Sequence, residues 1–308
     1  MSDFVIETKK LTKRYGKQSA VNSVGIHVKP GRIYGLLGRN GAGKTTIMKM
    51  ILGLTAITSG EVEVFGKTMS GSNKKRIYPR IGALIETPGF YPNLTGTENL
   101  EIFAMLRGTS RPDAVKHALE VVGLPYREKK LFSKYSLGMK QRLGIAGAIL
   151  HDPELLILDE PTNGLDPIGI AEMRTFIKHL SAERGKTILI SSHILSEISL
   201  LADDIGVIDH GFLLEESSME ELERKNRMYL QLQVSDVSKA SLILEREFHT
   251  ADYTVQEEHT LRLYDTTLDL AAINKALVMQ DVAVISSQIC NDTLEDYFKK
   301  ITGGEGIA

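Results

Sequence analysis

The sequence predicts an α/β fold followed by a small α+β domain, and three observations support this prediction. Short apolar runs without charges, Ile33 to Leu37 and Leu155 to Leu158, are typical of parallel strands that are buried on both faces. A glycine-rich loop follows the first of these strands and precedes a helical pattern. Beyond about Tyr229 the order becomes strand, helix, two strands, helix and strand, which fits a small split-βαβ domain.

The charge and the cysteine content exclude several classes of protein. The formal net charge of −2 leaves no excess of Lys and Arg that would recruit nucleic acid or an anionic membrane surface. The single cysteine, Cys290, permits no internal disulfide, and residues 1–7 lack the apolar core of a secretion signal. No apolar run approaches the roughly 18 residues that span a bilayer. We therefore expect a cytoplasmic protein in which any membrane role depends on another chain.

The first 30 residues predict two paired strands, Val5 to Thr12 and Val21 to Val28. Tyr15 lies between them, where its ring could stack on a flat base or simply pack half-buried. The pattern alone favours packing. Further along, Gly60 to Gly66 alternates polar and apolar residues between glycines, which predicts a short antiparallel strand.

The loop from Gly38 to Thr45 matches the phosphate-binding pattern G-x-x-x-x-G-K-[ST]. It stands between the strand Ile33 to Leu37 and a helix predicted over Thr46 to Leu54, which is the order that this pattern requires. Its glycines let backbone N–H groups point at phosphates, and the positive end of the helix reinforces them. Lys44 supplies a mobile charge and Thr45 a hydroxyl for Mg²⁺. We therefore predict nucleotide binding rather than an accidental glycine-rich turn.

Two carboxylates, Asp159 and Glu160, follow the strand Leu155 to Leu158 and should face the crevice where α/β proteins bind ligands. Successive side chains of a strand point to opposite sides, so we expect the two to have different roles. Asp159 could hold Mg²⁺ through water, and Glu160 could orient or deprotonate an attacking water. A purely structural turn is the alternative. Asn163 to Pro167 is predicted as a tight turn.

Two further polar side chains lie near the ends of predicted strands. Glu86 follows the strand Ile81 to Ile85, where it is either a functional group or a solvated loop carboxylate. His193 comes shortly after the strand Thr187 to Ile190. A neutral imidazole there could donate to a γ-phosphate oxygen, although a histidine at a strand end is more often structural.

A helical region lies between these strands. From Thr95 the pattern is helical, with Thr97 as the possible cap, and a second helix is predicted over Asp113 to Val122. Ser136 is the expected N-cap of a third helix, which continues through Ile149. A helix that begins with Ser and Gly is a second anion-binding geometry, although most such helix starts bind only water.

The remaining sequence predicts a strand over Gly206 to Asp209 and a charged helix over Met219 to Arg227. No catalytic group of residues is evident beyond this helix. The C-terminal elements are the strands Tyr229 to Val234, Tyr253 to Gln256, Leu261 to Tyr264 and Val282 to Ile285, the helices Lys239 to Glu247 and Leu268 to Met279, and a last helix from Thr293.

Five motifs together resemble, in their order and spacing, those of the ATP-binding subunit of ABC transporters. They are the loop Gly38 to Thr45, the element Ser136 to Arg142, the strand end Leu155 to Glu160, the turn Asn163 to Asp166, and His193. The resemblance is far more specific than any single motif.

The resemblance covers roughly residues 3–220 and implies a fold. The expected fold is an α/β P-loop NTPase with a mixed sheet, an antiparallel β subdomain and a helical insert. The expected domains are an ABC ATP-binding domain at 1–220, with its helical subdomain at about 95–150, and an accessory α+β domain at 221–308.

The resemblance also implies a role for each motif residue, and it makes Tyr15 the residue that stacks on adenine. The residues implied to bind ATP are Tyr15, Gly38, Arg39, Asn40, Gly41, Ala42, Gly43, Lys44, Thr45, Thr46, Ser136, Gly138, Gln141 and Asp166. Those implied to hold Mg²⁺ are Thr45, Asp159 and Glu86, and those implied to act in hydrolysis are Glu160, His193 and Glu86.

The partners implied by the family are a second ATP-binding subunit and an integral membrane permease, with no nucleic acid. Two copies, or two paired ATP-binding subunits, would pack head to tail, so that ATP lies between Gly38 to Thr45 of one and Ser136 to Gly138 of the other. The loop from Glu86 to Asn93 would receive a cytoplasmic helix of the permease. The expected location is therefore the cytoplasmic face of the cell membrane.

One departure from the family pattern is Glu86, because the family usually has glutamine at that position. Three features are similar to those of ABC exporters that protect against bacitracin and lantibiotics. They are this carboxylate, the sequence from Tyr135 to Arg142, and the C-terminal segment Thr293 to Phe298. The expected function is thus ATP hydrolysis that powers export of a peptide antibiotic. An exporter of another drug or lipid, a soluble ABC ATPase, and a nucleotide sensor with little turnover are the alternatives.

Overall fold

A computed structural model describes residues 3–86, 89–109, 111–225, 228–257, 259–265, 267–291 and 294–302. The chain forms two compact units, one that extends to Met219 and one that begins at Glu220. The first unit holds two sheets and a group of helices, and the second unit holds one sheet with its own helices.

The main sheet of the first unit has six strands in the order β11-β10-β4-β9-β8-β7. The strands are β4 (Ile33–Leu37), β7 (Ile81–Leu84), β8 (Leu155–Asp159), β9 (Thr187–Ser192), β10 (Asp204–Asp209) and β11 (Phe212–Ser218). All neighbouring strands are parallel except β10 and β11, so the sheet is mixed. Strands β4 and β8 are buried throughout, as their continuous apolar runs predicted.

The second sheet of this unit is antiparallel and has the order β2-β1-β5-β6, with β3 paired to β1. Its strands are β1 (Ile6–Tyr15), β2 (Gln18–Val24), β3 (His27–Val28), β5 (Ser59–Val64) and β6 (Lys67–Thr68). Helix α1 (Lys44–Ile51) buries Ile47 and Met50 in a core that also contains Ile6, Val62 and Val64. This apolar contact fixes the start of α1 relative to both sheets.

The helical region contains α3 (Gly96–Arg107), α4 (Ala114–Val121) and α5 (Leu137–Ile149), which pack on one another. The prediction of Thr97 as the helix cap was wrong. Thr95 is the N-cap, because its Oγ1 accepts from Glu98 N at 3.2 Å while Glu98 Oε2 accepts from Thr95 N at 2.7 Å. Thr97 lies inside the helix, where its hydroxyl accepts from Arg127 N.

Several elements of the first unit were not predicted from the sequence. These are the helices α2 (Lys74–Ile77), α6 (Pro167–Ala182) and α7 (Leu195–Ser199) and the strands β6 and β11. Helix α6 begins after its N-cap Asp166 with a proline at the first position, which is a common helix start. Strand β11 follows a two-residue turn, His210 and Gly211, whose positive φ values are those of a tight hairpin.

The second unit has a four-stranded antiparallel sheet in the order β13-β14-β12-β15. After α8 (Met219–Lys225), its elements are β12 (Met228–Val234), α9 (Val237–Glu247), β13 (Tyr253–Glu257), β14 (Thr260–Leu263), α10 (Leu270–Met279), β15 (Val284–Asn291) and α11 (Leu294–Ile301). This βαββαβ order is the one that the sequence predicted. Within the described residues, no helix is both long and apolar enough to cross a membrane.

Candidate nucleotide-binding site

The loop Gly38 to Thr45, Glu86, Glu160 and His193 follow the carboxyl ends of four parallel strands of the main sheet, and Asp159 is the last residue of one of them. Strand β9 lies between β4 and β8, and β7 flanks β8. Leu37 is in register with Ser192, and Asp159 is in register with Ser191. The segments that follow these strands therefore meet at one edge of the sheet, where open α/β sheets bind their ligands.

The phosphate-binding loop, Gly38 to Gly43, depends on glycine at two positions. A Cβ atom on Gly38 would lie 2.2 Å from the carbonyl oxygen of Ile208, so no larger side chain fits there without a shift of the backbone. Gly43 has a φ of 110°, and a Cβ atom on it would lie 2.7 Å from the carbonyl oxygen of Ala20. The backbone can thus turn tightly before α1 begins at Lys44.

Lys44 lies almost fully buried at the first position of α1. Its Nζ donates to the carbonyl oxygens of Gly38 at 2.6 Å and of Arg39 at 3.1 Å. The same ammonium lies 3.1 Å from Glu160 Oε1 and forms an ion pair with it. These three oxygens compensate a cation that would otherwise be costly to bury.

Thr45, in the helix that follows β4, lies close to Asp159 at the end of β8. Thr45 Oγ1 donates to Asp159 Oδ2 at 2.9 Å. The other carboxylate oxygen, Oδ1, accepts from Ser191 Oγ at 2.6 Å. Asp159 is only 7% exposed, so these hydrogen bonds fix its orientation. The hydroxyl and the carboxylate form a pair of oxygen donors beside the phosphate-binding loop.

Glu160 follows Asp159 with a positive φ of 48°, and its side chain contacts different partners. Its backbone N–H donates to Ser191 Oγ at 2.9 Å. Its Oε2 lies 2.7 Å from His193 Nδ1, which must be the donor if the carboxylate is ionised. Its Oε1 is buried and has no hydrogen bond within the described part of the chain, although Lys44 lies nearby. This oxygen is therefore able to accept a further hydrogen bond.

Glu86 has a positive φ of 60° just past β7, and its side chain is 64% exposed. Its Oε1 accepts from Lys49 Nζ at 2.5 Å, so the structure places it against α1. That hydrogen bond, aided by the charges of Glu86 and Asp159, raises the pKa of the Lys49 ammonium. The negative charge of this carboxylate is therefore paired with the positive charge of Lys49.

The remaining predicted residues around the loop differ in exposure. Tyr15 is 53% exposed, and the ammonium of Lys13 lies 4.7 Å from its ring centroid. Asn40 and Gly41 are exposed and Ala42 is buried, whereas Arg39 and Thr46 are intermediate. Stacking of adenine on Tyr15 stays a prediction.

The second predicted group of phosphate-binding residues lines a separate groove of about 810 Å³. Ser136 caps α5 by accepting from Met139 N at 3.3 Å, and Asp166 caps α6 by accepting from Gly169 N at 2.8 Å. Ser136, Gly138 and Asp166 all line the groove, together with Arg142 and Glu172. Among the described residues that line it, none belongs to the loop Gly38 to Thr46.

Gln141 belongs to the same helix as Gly138 but does not line the groove among the described residues. Its Oε1 is buried without a hydrogen-bond partner in the part of the chain that the structure describes. Its role in binding ATP stays a prediction.

Two residues of this site were not found from the sequence. Ser191 bridges Asp159 and the backbone of Glu160, but this contact depends on the register of β8 and β9. Lys49 follows Thr45 by four positions on α1, so helical periodicity was the signal that would have placed it on the same face.

Comparisons with known proteins show which family this chain resembles. The profile of the ABC transporter family matches residues 21–163. The bacitracin transport ATP-binding protein BcrA of Enterococcus faecalis is 54% identical over 306 residues, which are 99% of each chain. The lantibiotic transport ATP-binding protein SrtF of Streptococcus pyogenes is 43% identical over 225 residues, 73% of this chain and 96% of SrtF. A solved ATP-binding subunit of an ABC transporter is 30% identical with a TM-score of 0.63, covering 72% of this chain and 92% of that one.

The chain therefore belongs to the ATP-binding proteins of ABC transporters. The expected α/β P-loop fold, with its mixed sheet, antiparallel sheet and helical insert, is confirmed. ABC ATP-binding subunits bind ATP, are ATPases that power transport, and pair with membrane permease components.

Replacement of Ser191 by Ala tests the bridge between the two carboxylates. The variant leaves buried Asp159 with one hydrogen bond fewer and the Glu160 N–H without its acceptor. We expect a loss of about 1–3 kcal/mol in the free energy of unfolding, measured by urea denaturation. Ser196→Ala, at an exposed position, is the control and should change that free energy by less than about 0.5 kcal/mol. Equal values for the two variants would show that the bridge contributes nothing.

Proposed function

We propose that this protein is the ATP-hydrolysing subunit of an exporter that expels a peptide antibiotic through a separate membrane subunit. The similarity to the bacitracin transport protein over 99% of both chains supports this substrate class, since it includes the second unit. The similarity to the lantibiotic relative covers 225 residues. These are 96% of that relative but only 73% of the 308 residues of this chain. Bacitracin is therefore the substrate that we favour over a lantibiotic.

The residues of the phosphate-binding loop and α1 would hold the triphosphate. The N–H groups of the loop and the positive end of α1 provide a cradle for anions, and Lys44 adds a positive charge. Lys44 now lies against Glu160 Oε1, so it exchanges this carboxylate for phosphate oxygens when ATP binds. This exchange frees Glu160 at the same moment.

Mg²⁺ is the metal that the oxygen donors of this site fit. Thr45 and Asp159 supply one hydroxyl and one carboxylate, 2.9 Å apart. Among the described residues, no group of three or more His, Cys, Asp or Glu side chains could hold a metal ion. Apart from these two side chains and Glu86, the ligands would thus be phosphate oxygens and water, which is typical of Mg²⁺. When bound, Mg²⁺ neutralises the charge that develops on the phosphates. Glu86 is the third side chain that we assign to the metal.

Glu160 is the residue that we assign to the attacking water. Its Oε1 is buried and has no hydrogen bond in the described structure, so it can accept one from water once Lys44 has moved. His193 holds the other oxygen, Oε2, and thereby orients the carboxylate. A neutral imidazole has a single N–H, which Glu160 already uses. Donation from His193 to a γ-phosphate oxygen therefore requires the imidazolium form or a break of this hydrogen bond.

The separation of the two phosphate-binding groups is the observation that carries the proposed mechanism. Ser136 and Gly138 line one groove, whereas Lys44 and Thr45 lie at the sheet edge with Asp159. A second copy, or a paired ATP-binding subunit, would bring its own Ser136 groove to the triphosphate. ATP then stabilises the closed dimer far more than the open one, which allows binding to do mechanical work.

The membrane partner would place this subunit at the cytoplasmic face of the cell membrane. The predicted docking loop, Glu86 to Asn93, includes residues 87 and 88, which lie outside the described residues. We assign residues 1–220 to the ABC ATP-binding domain, with its helical subdomain at about 95–150, and residues 221–308 to an accessory domain.

The substitution Lys44→Ala tests nucleotide binding. It removes the only loop side chain that the mechanism uses to pair with phosphate, and we expect ATP affinity to fall at least about tenfold, as measured by calorimetric titration. Lys178→Met, an exposed lysine on α6, is the control and should bind ATP as the unmodified protein does. Unchanged affinity in the Lys44 variant would remove the loop from the mechanism.

The substitution Glu160→Gln tests the assignment of the catalytic carboxylate. The amide keeps the shape of the side chain but is a much weaker base, so we expect hydrolysis to fall by about 10²-fold or more while ATP binding persists. Phosphate release measures the rate, and size-exclusion chromatography with ATP measures the dimer, which should become stable. Continued phosphate release at the original rate would disqualify Glu160.

A further inference from the structure

The ion pair between Glu86 and Lys49 has no role in the mechanism described so far. Glu86 Oε1 lies 2.5 Å from Lys49 Nζ. Lys49 is four residues beyond Thr45 on α1, and residues at this spacing lie on the same face of a helix. The carboxylate is therefore held on the face of α1 that presents the Thr45 hydroxyl to Asp159.

The contribution of this pair to folding stability is small. The side chains of Lys49 and Glu86 are 32% and 64% exposed, and ion pairs of this kind add between zero and about 1 kcal/mol. A structural role thus gives little reason for a lysine at this point. The charges beside the nucleotide site give a stronger reason for a lysine at position 49.

A triphosphate at the loop meets two carboxylates on this side of α1, Asp159 and Glu86. Both are assigned to Mg²⁺, which would compensate their charges when bound. Without the metal, Asp159 still accepts hydrogen bonds from Thr45 and Ser191. Glu86 would add a negative charge that a neutral amide at the same position would not. Unit charges several ångströms apart near a protein surface interact by a few kcal/mol at most, which is enough to alter nucleotide affinity several-fold.

We propose that Lys49 is a positioning residue for Glu86, whose charge it cancels and whose carboxylate it holds beside the Thr45 face of α1. The pair is neutral as a unit, so ATP encounters the electrostatic equivalent of an amide at position 86. The inference rests on the proposed function, because it requires the triphosphate to lie against the start of α1. Lys49 should therefore matter for ATP affinity only when residue 86 is a carboxylate.

A double-mutant cycle on the full chain tests this dependence. The four proteins are the unmodified chain, Lys49→Met, Glu86→Gln and the double variant, each titrated calorimetrically with ATP in EDTA and again in MgCl₂. We expect Lys49→Met to weaken ATP binding about fivefold in EDTA, because an uncompensated carboxylate then faces the phosphates. In the Glu86→Gln background the same substitution should change affinity by less than about twofold.

Two controls separate charge from shape and from folding. Lys49→Arg keeps the charge and should bind ATP within about twofold of the unmodified chain, and Lys178→Met removes a lysine from another helix and should have no effect. The melting temperatures of all variants should agree within a few degrees, because an ion pair with this exposure contributes little to stability.

An equal loss of affinity in both backgrounds, or no loss in either, would overturn the role of Lys49. This failure is distinct from failure of the proposed function. If the Lys44→Ala variant binds ATP normally, the nucleotide site itself is wrong. If Lys44 is required but Lys49 and Glu86 act independently, only the inference about Lys49 is lost.

Discussion

The ion pair between Lys44 and Glu160 joins two residues to which we assign different roles, nucleotide binding for Lys44 and hydrolysis for Glu160. Lys44 is 5% exposed, and a buried cation requires compensation by negative charge or by carbonyl oxygens. Glu160 and the carbonyls of Gly38 and Arg39 provide it in this structure. A triphosphate carries more negative charge than one carboxylate. In the mechanism that we propose, the capture of Lys44 by ATP and the release of Glu160 are therefore one event.

The parallel sheet makes this link possible because it fixes the register of the segments that carry the side chains. Asp159 and Ser191 are neighbours across β8 and β9, and Ser191 in turn holds the backbone of Glu160. The two carboxylates therefore have separate partners although they are adjacent in sequence. Asp159 contacts the hydroxyl of Thr45, whereas Glu160 contacts Lys44 and His193.

The parts of the site that are local in sequence could be predicted, and the parts that depend on register could not. The glycine loop and the buried strands β4 and β8 follow from patterns within a few residues. The contact of Ser191 with Asp159 and the pairing of Lys49 with Glu86 could not be predicted, because each joins two elements that are distant in sequence. Helix α6 was not predicted although Asp166 and Pro167 form a common helix start, because Asn163, Gly164 and Pro167 are equally typical of a tight turn.

We propose that the loop and the Ser136 groove of one chain serve two different nucleotide sites of a dimer. Mixing two variants, Lys44→Ala and Ser136→Arg, tests this division, because neither should form ATP-dependent dimers alone. A mixed dimer contains one intact site, built from Lys44 of one copy and Ser136 of the other. We expect mixing to restore ATP-dependent dimers, measured by light scattering. No dimer on mixing, with ATP still bound tightly by single copies of the Ser136 variant, would contradict it.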